Sequence, residues 1–306
     1  MRVFVTGASG FIGSSVTRDL LDAGHSVLAL ALPADDLWRL RDIERDVPVV
    51  RGALADAAIL RNAIGGWGPE VCIHLAWYAE PGKYLDSPAN VEALSSSLAL
   101  LRVLSEIGCR RMVAAGTCAE YDTDRGYLRE DDPARPLTLY AAAKLSCGLL
   151  GSLMAQACGM RFAWARIFYP YGPYEDQRRV IPGIIRSLLS GQPFPATAGD
   201  QVRDYVHVAD VASAFRLLAE KEASGVFNIA SGVPVTMKQV LGTVGNLLGC
   251  PELVGFGALP YRDWEPMFVC GDSQRLRALG WLPRYGLDEG LSRTIDWWRS
   301  FDAIGG

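Results

Sequence analysis

Three glycines within the first thirteen residues constrain this chain more than any later feature. The apolar run Val3-Phe4-Val5 breaks at Thr6 into Gly7-Ala8-Ser9-Gly10-Phe11-Ile12-Gly13, and apolar residues then recur at helical spacing (Phe11, Ile12, Val16, Leu20, Leu21) until Gly24. That order reads as a strand, a tight turn and a helix over 11–23. Glycines at 7, 10 and 13 let the backbone turn sharply, bring bare N–H groups close to a diphosphate, and allow the helix to pack on the strand. The helix N-terminus adds partial positive charge for the anion. The spacing is G-x-x-G-x-x-G rather than the commoner G-x-G-x-x-G, and a glycine-rich turn needs no ligand in itself. Its place between a strand and a helix is what favours a phosphate.

Strand and helix patterns keep alternating afterwards. Strands are expected at 26–32, 48–50, 71–75, 112–115 and 162–166, and helices at 55–64, 90–107 and 139–158. Such alternation implies an α/β fold with a doubly wound parallel sheet, whose ligands bind beyond the carboxyl ends of the strands. We therefore expect a dinucleotide-binding domain over 1–168. Beyond it the texture turns aromatic and turn-rich at Tyr169-Pro170-Tyr171-Gly172-Pro173-Tyr174, the start of a smaller substrate-binding lobe over 169–306. Apolar runs at 206–218 and 226–229 still look like core, so 204–232 is expected to rejoin the first domain. At the end of the second strand, where an acidic residue would hold the adenosine ribose, stand Ala31 and Leu32. Arg39 and Arg41 follow, readable either as ligands of a 2′-phosphate or as a solvated helix face. The cofactor is thus NADP or NAD, with NADPH slightly favoured.

Composition narrows the partners. Of 306 residues, 30 are basic and 34 acidic, giving a net charge of −4 with no long block of either sign, which disfavours nucleic acid and anionic membrane. Seven cysteines without a C-x-x-C pair read as free thiols of a reducing cytosol. Three scattered histidines leave no material for a metal site, and no signal segment or long apolar span is evident, so a cytoplasmic protein is expected.

Tyr140-Ala141-Ala142-Ala143-Lys144 puts a phenol and an ammonium one helical turn apart on the same face. A nearby cation favours the ionised phenol, so such a tyrosine can exchange a proton with a carbonyl oxygen while hydride moves. Alone, Y-x-x-x-K is common. Together with the glycine turn it gains weight, and further motifs follow in order: His74-Leu75-Ala76, Gly116-Thr117 through Tyr121, Tyr171-Gly172-Pro173, Arg203-Asp204-Tyr205-Val206-His207-Val208, Asn228-Ile229, Gly280-Trp281 and Trp297-Trp298. Along essentially its whole length the chain resembles the extended short-chain dehydrogenase/reductases, the NAD-dependent epimerase/dehydratase family of nucleotide-sugar enzymes.

The resemblance implies catalytic roles for Thr117, which would hydrogen-bond the substrate oxygen, for Tyr140 as acid/base, and for Lys144, which would hold the nicotinamide ribose. It implies cofactor contacts at Gly7, Ser9, Gly10, Phe11, Ile12, Gly13, Arg39, Leu75 and Ala76. Substrate contacts would fall at Thr117, Cys118, Tyr169, Arg179, Arg203 and Arg262, the substrate being a nucleotide-sugar. His74 and Trp77 would line the nicotinamide side, although a packed core histidine explains His74 equally well. A homodimer through helices 90–107 and 139–158 is also implied.

Departures from the family pattern narrow the chemistry. The Asp-Glu pair of 4,6-dehydratases is replaced by Cys118 and Ala119, and Glu120 lies out of register. The Cys-His pair of the epimerase–reductases is incomplete, because 174–182 contains no histidine, and Cys118 reads as a small packing residue. Tyr169 replaces an asparagine that many relatives set against the diphosphate, and Ala53 an aspartate often set against adenine. Two activities remain: reduction of the C4 keto group of a nucleotide-linked 4-keto-6-deoxy sugar, and 4-epimerisation on retained NAD. A non-catalytic NAD(P)-sensing protein is remoter, since such proteins lose the Tyr or Lys. The loop Trp77-Tyr78-Ala79-Glu80-Pro81-Gly82-Lys83-Tyr84 reads as a sugar lid or a plain surface loop, and 174–179 as a pocket rim or a solvated turn.

Overall fold

The computed structural model describes residues 1–262 and 265–303. From the N-terminus run β1 (Arg2–Thr6), α1 (Phe11–Asp22), β2 (Ser26–Ala31), β3 (Val49–Arg51), α2 (Ala57–Gly65), β4 (Val71–His74), α3 (Ala89–Glu106), β5 (Arg111–Thr117), the two-residue β6 (Tyr127–Leu128), α4 (Leu139–Ala157) and β7 (Arg161–Ile167). There follow β8 (Tyr169–Tyr171), α5 (Val180–Leu189), β9 (Phe194–Pro195), β10 (Val202–Arg203), β11 (Tyr205–His207), α6 (Val208–Glu220), β12 (Gly225–Ile229), β13 (Val235–Thr236), α7 (Met237–Leu248), β14 (Val254–Gly255), β15 (Phe268–Gly271), α8 (Gln274–Ala278) and α9 (Leu287–Ala303).

Seven strands form one sheet in the order β12-β7-β5-β4-β1-β2-β3, every neighbouring pair parallel. The reversal of strand order at β1 puts a crevice beside the β1 and β4 carboxyl ends. Alternation along each strand sorts its side chains between two cores. Val3, Val5, Val27 and Ile73 pack with Val16 and Leu20 of α1 and Phe215 and Leu218 of α6; Phe4, Leu28, Cys72 and Met112 pack with Leu60 of α2, Leu101 and Leu104 of α3, and Cys147 of α4. Buried apolar residues on both faces explain why these strands read as continuous apolar runs. β12 and α6 pack into this layered core although β8, α5, β9, β10 and β11 precede them in the chain. A third core, with Ile184, Ile185, Val240, Val244, Leu291, Ile295 and Trp298, joins α5, α7 and α9.

One side chain splices the two regions. Asp204, fully buried between β10 and β11, accepts the Ser231 amide (2.8 Å), the Ser231 hydroxyl (2.6 Å), the Gly232 amide (2.9 Å) and the Gly271 amide (3.1 Å). It thereby fixes the ends of β12 and β15 against β11. All seven cysteines are free thiols, and among the described residues no helix is long and apolar enough to cross a membrane and no cluster could hold a metal ion. Asp204→Ala removes the acceptor of three amides, that of Gly271 buried and those of Ser231 and Gly232 part-buried, and of the Ser231 hydroxyl, at about 1 kcal/mol each for the amides, so the variant should lose roughly 3 kcal/mol of stability in urea unfolding.

Candidate functional site

The glycine turn forms as its spacing requires. Gly7 has φ 71°, and a Cβ there would lie 2.7 Å from the Ala76 nitrogen; a Cβ on Gly13 would lie 1.9 Å from the Gly7 carbonyl oxygen. Gly10 caps α1 without a side chain, leaving the first-turn amides of Phe11 and Ile12 directed out of the helix end. Leu75 and Ala76 continue β4 across the crevice. This is a cradle into which a diphosphate fits and a side chain does not, so the residues present suit a dinucleotide. Its wall is held by a polar chain: Ser97 Oγ donates to the Ala93 carbonyl (2.6 Å), His74 Nε2 donates to Ser97 Oγ (2.8 Å), Thr6 Oγ donates to His74 Nδ1 (2.7 Å), and the Ala76 amide donates to Thr6 Oγ (3.3 Å). Burial holds His74 neutral, with its pKa lowered to about 3. It is the packed core histidine of the two readings.

At the adenosine end the structure corrects the expectation that no carboxylate follows β2. A turn closed by the Asp35 amide on the Leu32 carbonyl brings Asp35 back, and the Ser9 hydroxyl donates to its carboxylate. Arg51 pins the turn through the Leu32 (2.9 Å) and Asp35 (2.6 Å) carbonyls. The acid lies a turn beyond positions 31 and 32. Arg39 does not point out to solvent: Nε donates to the Tyr174 carbonyl (2.8 Å), Nη1 to the Ser9 carbonyl (3.5 Å), and its guanidinium covers Trp38 (4.2 Å). It ties the glycine turn to the second lobe. Arg41 is exposed, the solvated alternative.

β5 delivers Thr117 to the same edge. Its hydroxyl accepts the Ala119 amide (3.2 Å), while Glu120 reaches back to accept the Thr117 amide (2.8 Å), a capping box around one short turn. Fully buried Glu120 also accepts from Trp164 Nε1 (3.0 Å) and Arg166 Nε (2.7 Å). With all these donors on it, Glu120 is a structural anion. Opposite, Thr138 caps α4 by accepting the Ala141 amide (3.2 Å), and the Tyr140 amide donates to the Leu85 carbonyl (2.8 Å). The Tyr140 phenol meets the Thr117 hydroxyl.

Tyr140 and Lys144 share a helix face as expected, but burial governs their titration. The Lys144 ammonium donates to the Ala115 carbonyl (2.9 Å) and lies 3.8 Å from the Trp77 ring centroid, and desolvation lowers its pKa to about 8. Desolvation likewise pushes the Tyr140 phenol above its ordinary range, corrected in direction from the cation-lowered phenol that spacing suggested, because the ammonium is turned to Ala115 and Trp77. Tyr140 is therefore a proton-bearing phenol at neutral pH.

Of the expected substrate contacts, Cys118 and Tyr169 lie together beside Arg203, whose guanidinium stands 5.2 Å from the Tyr169 ring centroid and pairs with Glu265 and the Val202 carbonyl (2.8 Å). Burial raises the Cys118 thiol to about 12, so it is a neutral packing group. Arg262 is exposed in the loop before Glu265. The Arg179 guanidinium stands 5.3 Å from the ring centroid of Tyr84, whose ring in turn meets Tyr140. Sequence reasoning missed Asp35 and the contact of Tyr84 with Tyr140; for Asp35 the signal was an Asp-Asp pair just past the strand.

Lys144 carries a testable pH dependence. The unfolded chain keeps the ammonium proton up to about 10.5 and the folded one only to about 8, so between those values the unfolded state binds more protons and stability gains as pH rises. Relative to Lys144→Met, the wild type should gain about 2 kcal/mol between pH 7.5 and 9.5, read from urea unfolding at both values.

A sequence model described as the NAD dependent epimerase/dehydratase family matches residues 3–230. UDP-glucose 4-epimerase of Corynebacterium glutamicum is 28% identical over 317 residues, covering 93% of this chain and 92% of that protein. dTDP-glucose 4,6-dehydratase of Streptomyces griseus is 29% identical, covering 97% of this chain and 94% of the other. Among solved structures, the UDP-glucose 4-epimerase of Thermus thermophilus in complex with NAD superposes with a TM-score of 0.85 at 29% identity, over 98% of this chain and 99% of that one. With a glycine cradle, a Thr-Tyr-Lys constellation and a family match over most of its length, this chain belongs to the NAD-dependent epimerase/dehydratase family.

Proposed function

We propose that the protein reduces the C4 keto group of a nucleotide-linked 4-keto-6-deoxy sugar, with the dinucleotide in the 1–168 and 204–232 region and the sugar nucleotide against 169–306. The observation that carries this reading is the composition of the site. Thr117, Tyr140 and Lys144 converge at the β5 edge, while the positions of a dehydratase carboxylate pair hold the neutral Cys118 thiol and Ala119. Such a site can move a proton to and from one oxygen, and among the described residues no carboxylate stands at the positions of the dehydratase pair to take a proton from carbon.

Thr117 and Tyr140 hydroxyls together hold the carbonyl oxygen. The proton kept on the buried Tyr140 phenol passes to that oxygen as the adjacent carbon is reduced. Lys144 would leave Ala115 for the ribose of the cofactor, bringing its charge nearer the tyrosinate that results. Trp77 and Tyr84 keep water from the two groups. The nicotinamide, when bound, supplies the hydride.

A second reading, 4-epimerisation with retained NAD, is supported by Asp35 on the glycine turn and by the relatives' names. The two separate in one assay, a panel of 4-keto-6-deoxy and 4-hydroxy nucleotide-sugars with NADH or NADPH. A reductase oxidises cofactor in step with one C4 alcohol; an epimerase interconverts C4 alcohols with no net oxidation. In either case Tyr140→Phe should lower kcat by about 10²–10⁴-fold while dinucleotide affinity is unchanged.

The carboxylate of Asp35 would accept from adenosine ribose hydroxyls and repel a 2′-phosphate, which favours NAD over the NADP anticipated from residues 31 and 32. Asp35→Asn should raise the preference for NADPH over NADH, as a ratio of kcat/KM, by about tenfold; an unchanged ratio would leave the choice to other residues.

A further inference from the structure

The loop between β4 and α3 is not the plain surface loop of the two sequence readings. Asn90, fully buried at the start of α3, anchors both its ends: Oδ1 accepts from Trp77 Nε1 (2.8 Å), and Nδ2 donates to the carbonyls of Tyr84 (2.6 Å) and Ser87 (2.9 Å). The two aromatic rings so anchored each meet one member of the catalytic pair. Trp77 lies against the Lys144 ammonium, and the Tyr84 ring meets the Tyr140 ring edge-on, centroids 4.8 Å apart at 88°. The far side of this loop is held by the second lobe. Arg179 stands over Tyr84, and Arg178 reaches Glu80 at 3.4 Å, with Glu80 also paired to Lys83 at 2.9 Å.

We propose that Tyr84 is a positioning residue for the acid/base tyrosine: its ring fixes the rotamer of Tyr140 and shields the phenol from water, and Arg179 and the Glu80–Arg178 pair place that shield under the control of the second lobe. Two independent features support this. The edge-on geometry is the attractive arrangement of two rings, so it selects an orientation rather than merely filling space. The clasp spans two separate parts of the chain, 77–87 and 176–179, that meet only in the folded molecule. The groups acting on the Tyr140 phenol from other elements are Thr117, Cys118 and Glu120 from β5 and the turn after it, with Tyr84 from this loop. Of these, Tyr84 belongs to the loop that Arg179 and Arg178 hold from the second lobe. The proposal rests on Tyr140 as the proton donor and names what holds it.

Titration of the phenol itself separates this from any failure of the sugar-reduction reading, since no turnover is needed. The full chain is labelled with tyrosine carrying 13C at the ζ carbon, the Tyr140 resonance is identified by its loss in Tyr140→Phe, and pH is raised from 7 to 11 in wild type, Tyr84→Phe and Tyr84→Ala. Tyr84→Ala lets water reach the phenol, so Tyr140 should ionise at least about tenfold more readily than in the wild type, whereas Tyr84→Phe keeps the ring, loses only the repulsion from the Tyr84 hydroxyl, and should shift clearly less than the alanine variant. Tyr84→Ser is read in the same way should the alanine variant not fold. A wild-type curve in the alanine or serine variant, or an equal shift in Tyr84→Phe, would overturn the proposal.

Discussion

A phenol and an ammonium are held out of water at the carboxyl edge of β5, and much of the architecture follows from what that requires. Desolvation opposes charge on both groups: it lifts the Tyr140 phenol and lowers Lys144 to about 8. The ammonium is accommodated because the Ala115 carbonyl and the Trp77 ring replace its lost water. Just beneath lies a buried ion pair, Glu120 with Arg166, whose remaining lone pairs take the Thr117 amide and Trp164. Buried charges persist when they are hydrogen-bonded this fully. Their effect is to fix Thr117 at the end of β5, within reach of Tyr140.

The same edge organises the cofactor cradle. The glycine turn can approach Ala76 only because Gly7 lacks a side chain, and His74 holds that wall through an uninterrupted donor chain from Thr6 to Ser97. Arg39 then links the turn to Tyr174, whose left-handed backbone (φ 69°) belongs to the second lobe. The glycine turn, the Tyr140–Lys144 pair and the second lobe are therefore connected, through Arg39 on one side and the Tyr84 loop on the other.

How much of this was legible in the sequence depends on the range of the determining interaction. The parallel α/β sheet and the glycine turn were readable because β-α alternation and glycine spacing are local, and both faces of the strands are buried. Thr117, Tyr140 and Lys144 were readable from motifs, and their common helix face from i, i+4 spacing. Asp35 was not, because its position depends on a turn pinned by Arg51 from β3. The titration of Tyr140 was misjudged for a related reason: spacing places Lys144 one turn away, but not which carbonyl its ammonium chooses. Contacts between distant segments, such as Arg179 with Tyr84 or Arg39 with Tyr174, leave no periodic trace.

Among the described residues beside Tyr140, Cys118 is neutral, Ala119 carries no acid/base group and Glu120 is fully engaged. On the reading proposed above, such a site exchanges a proton with an oxygen and leaves the other sugar carbons untouched. The most direct measurement is turnover in deuterium oxide with unlabelled cofactor, followed by mass and NMR analysis of the sugar. Our account predicts product with no deuterium bound to any carbon. Deuterium at C3, C5 or C6 would show a second base acting on carbon and would contradict it.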